Sequence, residues 1–160
     1  MAKRKTLIVF YSVGGNTKRV AEALAAELDG TLVRIEDHVK RTGLFGFMRT
    51  GFQGMRKKAV PIDPVAVDAG SYDLVLLGTP VYAGGIAPGL RQFINDKRDG
   101  FSAVGYFATG GDQKKDAVLD ELEAATGITP AGRLYLCDRL VKDGSFADRV
   151  KEFAAGLNKR

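Results

Sequence analysis

Ser12, Gly14, Gly15, Asn16 and Thr17 bring two hydroxyls, an amide and two glycines into six positions. Residues of these types hold an oxyanion: hydroxyls donate hydrogen bonds, and glycines let the backbone wrap a phosphate. Their neighbours set the geometry. Leu7 to Tyr11 are consecutive apolar residues, the pattern of a strand buried on both faces. Beyond the turn, Val20, Leu24 and Leu28 recur every four residues, backed by Ala21 and Ala25, so a helix begins near Asn16 or Thr17. A strand, a glycine-bearing turn and a helix N-terminus in succession make an anion site. The first helical N–H groups lack intrahelical partners, and the helix dipole favours negative charge there. The plainer reading is a βα turn in which Asn16 or Thr17 caps the helix. The turn is too short for Gly-x-x-x-x-Gly-Lys-Ser/Thr, and Gly-x-Gly-x-x-Gly is absent, which excludes two common phosphate motifs.

Two further glycine-bearing loops follow apolar runs. One is Gly78-Thr79-Pro80-Val81-Tyr82-Ala83-Gly84-Gly85, and the other is Ala108-Thr109-Gly110-Gly111-Asp112. Tyr82 offers a ring that can stack on a flat ligand, glycines allow close backbone approach, and Pro80 stiffens the start of its loop. No residue set supplies a nucleophile with a base. His38 is the only histidine and Cys137 the only cysteine, and Ser12 lacks the Gly-x-Ser-x-Gly elbow. A response receiver would need an acidic pair where Tyr11-Ser12 stands. One cysteine also rules out an internal disulfide, and no Cys/His cluster has metal spacing. Any chemistry is then a cofactor's.

Strand and helix signals alternate along the chain and position these loops. Strands are read over 6–12, 31–36, 72–79, 101–108 and 134–137, and helices over 16–28, 87–97, 113–125 and 145–157. Pro88 falls in the first turn of its helix, where its missing N–H costs nothing. The strands at 31–36 and 134–137 mix polar with apolar residues and so belong at the edges. The result is an α/β, three-layer α/β/α sandwich around a five-stranded parallel sheet of order 2-1-3-4-5. Ligands bind such sheets at the carboxyl ends of the strands where the order reverses, here between strands one and three.

The run Ser12-Val13-Gly14-Gly15-Asn16-Thr17 resembles the phosphate loop of flavodoxins, Ser/Thr-x-Thr-Gly-x-Thr. Ser12, Gly15 and Thr17 match the first, fourth and last positions, and Asn16 is a common occupant of the fifth. Gly14 departs from the pattern, where the family usually has Thr, and removes one hydroxyl. The resemblance spans essentially the whole chain and is strongest over 6–28 and 72–88. It implies that Ser12, Val13, Gly14, Gly15, Asn16 and Thr17 hold the 5′-phosphate of FMN. It implies that Thr79, Pro80, Val81, Tyr82, Ala83 and Gly84 lie along the flavin, with Tyr82 beside the isoalloxazine ring. Thr109, Gly110, Gly111 and Asp112 would hold the pyrimidine edge. Tyr82 also reads as an aromatic packed against the first helix, and Asp112 as the N-cap of the helix after it.

A single domain spans 1–160, with a basic amphipathic insertion at about 38–60. Lys40, Arg41, Arg49, Arg56, Lys57 and Lys58 lie there without an acid, although the chain's net charge is only +5. The rest of the chain is nearly neutral, so the basic character belongs to one segment. Phe45, Met48, Phe52 and Met55 make one helical stripe in it, while four glycines weaken that helix. Similar insertions occur in a group of uncharacterised bacterial flavodoxin-like proteins. The segment reads as a connector over the sheet edge, as a flap or docking face for an acidic partner, or as a membrane-surface helix, the last not favoured. Nucleic acid is excluded, because no reading motif is present. Apolar residues in 44–55 leave room for a dimer.

The first functional reading is an FMN-binding electron-transfer protein, shuttling electrons between a reductase and an acceptor protein with an acidic surface. Gln113-Lys114-Lys115 beside the third loop suggests a less negative potential than acidic flavodoxins have. The second reading is an FMN-dependent quinone reductase or dehydrogenase with a small substrate. The third is a binding module of this fold that has lost FMN, which Gly14 would permit. With no membrane-spanning segment, and with an apolar run after the basic start that is too short for a signal peptide and lacks a small-residue cleavage site, the expected location is the cytoplasm.

Overall fold

The computed structural model of the chain describes residues 3–37, 59–113 and 116–159. The basic stripe at 38–58 and Lys114-Lys115 lie outside the described residues. Among the described residues there are five strands: β1 (Thr6–Phe10), β2 (Thr31–Arg34), β3 (Leu74–Pro80), β4 (Val104–Gly110) and β5 (Arg133–Cys137). All are parallel, in the order β2-β1-β3-β4-β5. The expected order is the observed one.

Burial explains it. Every residue of β1 and β4 is buried, and in β3 only Pro80 is partly open. β2 has no buried residue, and β5 begins on exposed Arg133. A strand with charged, wet positions cannot occupy the middle of a sheet covered on both faces.

Alternation along the strands divides the core in two. Leu7, Val9, Val75, Leu77 and Tyr106 face the helices α2 (Pro88–Lys97) and α3 (Asp116–Thr126), meeting Leu90, Phe93, Val118 and Leu122. Ile8, Phe10, Leu74, Leu76 and Phe107 face the other layer. There α1 (Asn16–Leu28), α4 (Asp138–Asp143) and α5 (Ala147–Asn158) contribute Val20, Leu24, Val141, Val150 and Leu157. Gly78 sits among the strands because the Phe107 ring fills the place a Cβ would take.

Some boundaries differ from the sequence reading. β3 starts at Leu74 because Asp73 is occupied at the turn, its carboxylate accepting from Lys5 N at 2.8 Å. β4 starts at Val104 because Phe101 still closes the preceding turn, its N–H donating to Arg98 O at 3.1 Å. The short α4 was not anticipated. Of its six residues only Val141 is buried, too few to leave a periodic trace.

Candidate cofactor site

The loop after β1 wraps onto the start of α1. Gly15 is the N-cap residue at φ 96°, a left-handed conformation that glycine adopts without strain. Ser12 is buried, and its Oγ accepts a hydrogen bond from Lys18 N at 3.3 Å, which satisfies one donor of the first turn. The N–H groups of Asn16 and Thr17 remain without intrahelical partners. A Cβ built on Gly14 or Gly15 meets nothing within 4 Å, so the loop borders open space. The first turn contains Lys18 and no acid. A cation at a helix N-terminus opposes the dipole; the Lys18 ammonium lies 3.9 Å from Glu22, and a bound anion would offset its charge further. Arg34 adds to this charge: its Nη2 donates to Ser12 O at 3.0 Å, and its Nε lies 3.1 Å from Glu36. Val13 stands out at the tip, 54% exposed.

The loop after β3 is a braced turn. Tyr82 and Gly85 exchange both backbone hydrogen bonds, at 2.8 and 2.9 Å. Ala83 and Gly84 between them have φ of 46° and 87°, the type I′ signature. Ala83 is one of two non-glycine residues with positive φ among the described residues, and such strain concentrates at ligand sites. Ala83 and Gly84 are exposed, and Gly84 faces open space. Thr79 is fully buried, with its hydroxyl donating to Pro80 O at 2.8 Å and accepting from Ala87 N at 3.0 Å. It therefore closes the base of the loop. Tyr82 is buried and meets the Tyr11 ring edge-on, with centroids 6.0 Å apart. It joins the α2–α3 side of the core, so it does not pack against the first helix.

The loop after β4 is held from β5. Tyr135 Oη donates to Gly111 O at 3.0 Å and also approaches Gln113 O at 3.3 Å. Burial above all, then the Cys137, Asp138 and Asp112 groups nearby, pushes the Tyr135 hydroxyl up to about 12. Gly110 must lack a side chain, because a Cβ there would strike the Tyr135 hydroxyl and lie 2.8 Å from Val81 Cγ2. Gly111 faces open space. Gln113, which follows Asp112, is not helical, and the described part of the next helix begins at Asp116; the Asp112 carboxylate lies 3.6 Å from Arg139 Nε.

Thr109 ties the three loops together. Its hydroxyl pairs with Thr17 Oγ1 at 2.8 Å in a buried contact, and its carbonyl accepts from Val81 N at 2.8 Å. Tyr11 N donates to Gly78 O at 3.0 Å, joining the first loop to β3. The three predicted segments are thus assembled at the carboxyl ends of β1, β3 and β4. Sequence reasoning missed Arg34 and Asp138, whose Oδ1 accepts from Asn16 Nδ2 at 2.9 Å. It also missed Tyr135 and Glu121. Only for Glu121 was there a local hint, a charged residue beside the Val118–Leu122 stripe.

The arrangement suits a ligand with a phosphate and a flat polar ring. Open backbone at Gly14, Gly15, Gly84 and Gly111 surrounds it on three loops, and the positive helix end lies at one of them. No group of His, Cys, Asp and Glu among the described residues could hold a metal ion. No described helix is long and apolar enough to cross a membrane.

Five parallel strands in this order between two helical layers define the flavodoxin-like α/β fold. Solved structures agree. A flavoprotein from Lactobacillus acidophilus NCFM, crystallised in complex with FMN, is 22% identical with a TM-score of 0.73, covering 91% of this chain and 97% of that one. The apo form of the flavoprotein from that organism is 25% identical with a TM-score of 0.66, covering 89% and 97%. Two-electron reduced Megasphaera elsdenii flavodoxin is 20% identical with a TM-score of 0.65, covering 97% and 99%. No family model and no curated protein matches the chain.

Proposed function

We propose that this chain is an FMN-binding electron carrier. The observation that carries the reading is the convergence of three open-backbone loops on the switch point between β1 and β3, joined through Thr109. The FMN bound by the Lactobacillus flavoprotein of the same fold supports it. Ser12 to Thr17 would hold the phosphate with the N–H groups of Asn16 and Thr17. The Tyr82–Gly85 turn would meet the ring, and Thr109 to Asp112 would hold its pyrimidine edge. FMN supplies one- and two-electron chemistry when bound. The protein contributes orientation, exclusion of water by the buried loop bases, and electrostatics set by Lys18 and Arg34.

Among the described residues beside the loops, the Cys137 thiol donates to the Asp112 carbonyl at 3.4 Å rather than to a base, which favours a carrier over an enzyme that activates its own substrate. The acid-free basic stretch between His38 and Lys58 favours a redox partner with an acidic surface. A cytoplasmic setting fits this role. The test is electron transfer from the photoreduced holoprotein to an acidic ferredoxin and to basic cytochrome c across a salt series. The reading expects the rate to the acidic acceptor to fall as salt rises, as attraction is screened. A salt-independent rate to the acidic acceptor would contradict the acidic-partner reading. Rapid NAD(P)H–quinone turnover without a partner would contradict the carrier role.

A further inference from the structure

One side chain from a distant part of the sequence reaches the strained turn at 82–85. Glu121, on α3, has a side chain only 11% exposed, and its Oε2 accepts a hydrogen bond from Ile86 N at 2.8 Å. Its Oε1 accepts from Arg91 Nη2 of α2 at 2.7 Å, and Arg91 is itself 15% exposed. A Cβ on Gly85 would lie 2.7 Å from the same Oε2. A carboxylate taken this far out of water is costly unless its oxygens are matched, and both are matched here. Bridging α2 to α3 would require only the arginine. The second oxygen instead fixes the backbone that follows the turn, next to Ala83 at φ 46°, and strain of that kind persists only where surrounding groups hold it.

We propose that Glu121 is a positioning residue for the flavin ring. Through Ile86 N–H and its closeness to Gly85, it holds the Tyr82–Gly85 turn in the shape that meets the ring. This inference rests on the FMN reading above.

The test measures FMN and riboflavin dissociation constants by flavin fluorescence, in wild type, Glu121→Gln, Glu121→Ala and Gly85→Ala. Gln keeps an oxygen for Ile86 N, whereas Ala removes it. Gly85→Ala leaves both charges in place and displaces the carboxylate by contact alone. Glu121→Ala and Gly85→Ala should weaken both flavins about tenfold, with Glu121→Gln between them and wild type. The riboflavin-to-FMN ratio should stay at its wild-type value, because the phosphate sits on a different loop. A general loosening of the fold would instead pull that ratio toward one, and this result would overturn the proposal. Wild-type affinity in Gly85→Ala would overturn it too, and that variant carries the test if Glu121→Ala does not fold. A wild-type protein that binds neither flavin would overturn the FMN reading and this inference with it.

Discussion

Tyr135→Phe removes one hydroxyl that ties the third loop to β5. That hydroxyl donates to Gly111 O at 3.0 Å and approaches Gln113 O at 3.3 Å. Both acceptors belong to exposed residues, so water replaces the lost partner. The cost near neutral pH is then that of one ordinary hydrogen bond, about 0.5–1.5 kcal/mol. The alkaline range gives a sharper signature. Tyr135 titrates at about 12 when folded, against 10.0 for the free side chain, chiefly because it is buried. The unfolded chain therefore gives up this proton first. The stabilisation is complete below pH 10 and drains away as pH rises toward 12, in total about 2–3 kcal/mol. By about pH 11 roughly half of that has gone, about 1.4 kcal/mol, which matches or exceeds the hydrogen bond. The variant has no such proton to lose. Tyr106, also raised by burial, is common to both proteins and cancels. Urea unfolding followed by circular dichroism, from about pH 8 to about pH 11.5, should show wild type ahead at first and the order inverting near pH 11. A stability gap that stays constant or widens with pH would refute the reasoning.

Two other substitutions probe the loop junctions. Thr17→Val leaves the Thr109 hydroxyl buried without its 2.8 Å partner, a loss of about 1–3 kcal/mol in denaturant unfolding. Changing Thr109 to Val as well should recover most of it, and additive losses would contradict the pairing. Ser12→Ala removes the acceptor of Lys18 N. It should cost about 0.5–2 kcal/mol of stability and weaken FMN more than riboflavin, with equal weakening counting against a phosphate role.

The fold was legible because burial leaves a compositional trace. Leu7–Tyr11 and Leu74–Leu77 are unbroken apolar runs, whereas Arg34 and Arg133 mark strands that must touch water. That contrast sets the strand order. The loops were legible because glycines and hydroxyls follow the apolar runs directly. The supports behind them were not. Glu121 meets Ile86 across 35 residues and Tyr135 meets Gly111 across 24, and no local pattern encodes contacts of that span. Arg139, which lies beside the Asp112 carboxylate, is just as distant in sequence.

The most direct test of the central claim is a visible absorption spectrum of the purified protein, taken as isolated and again after excess FMN and desalting. The account predicts a retained flavin band corresponding to about one FMN per chain, its shape perturbed from that of free FMN by the loop environment. A protein that keeps no flavin in either sample would contradict it, leaving the three loops as a phosphate site for another ligand.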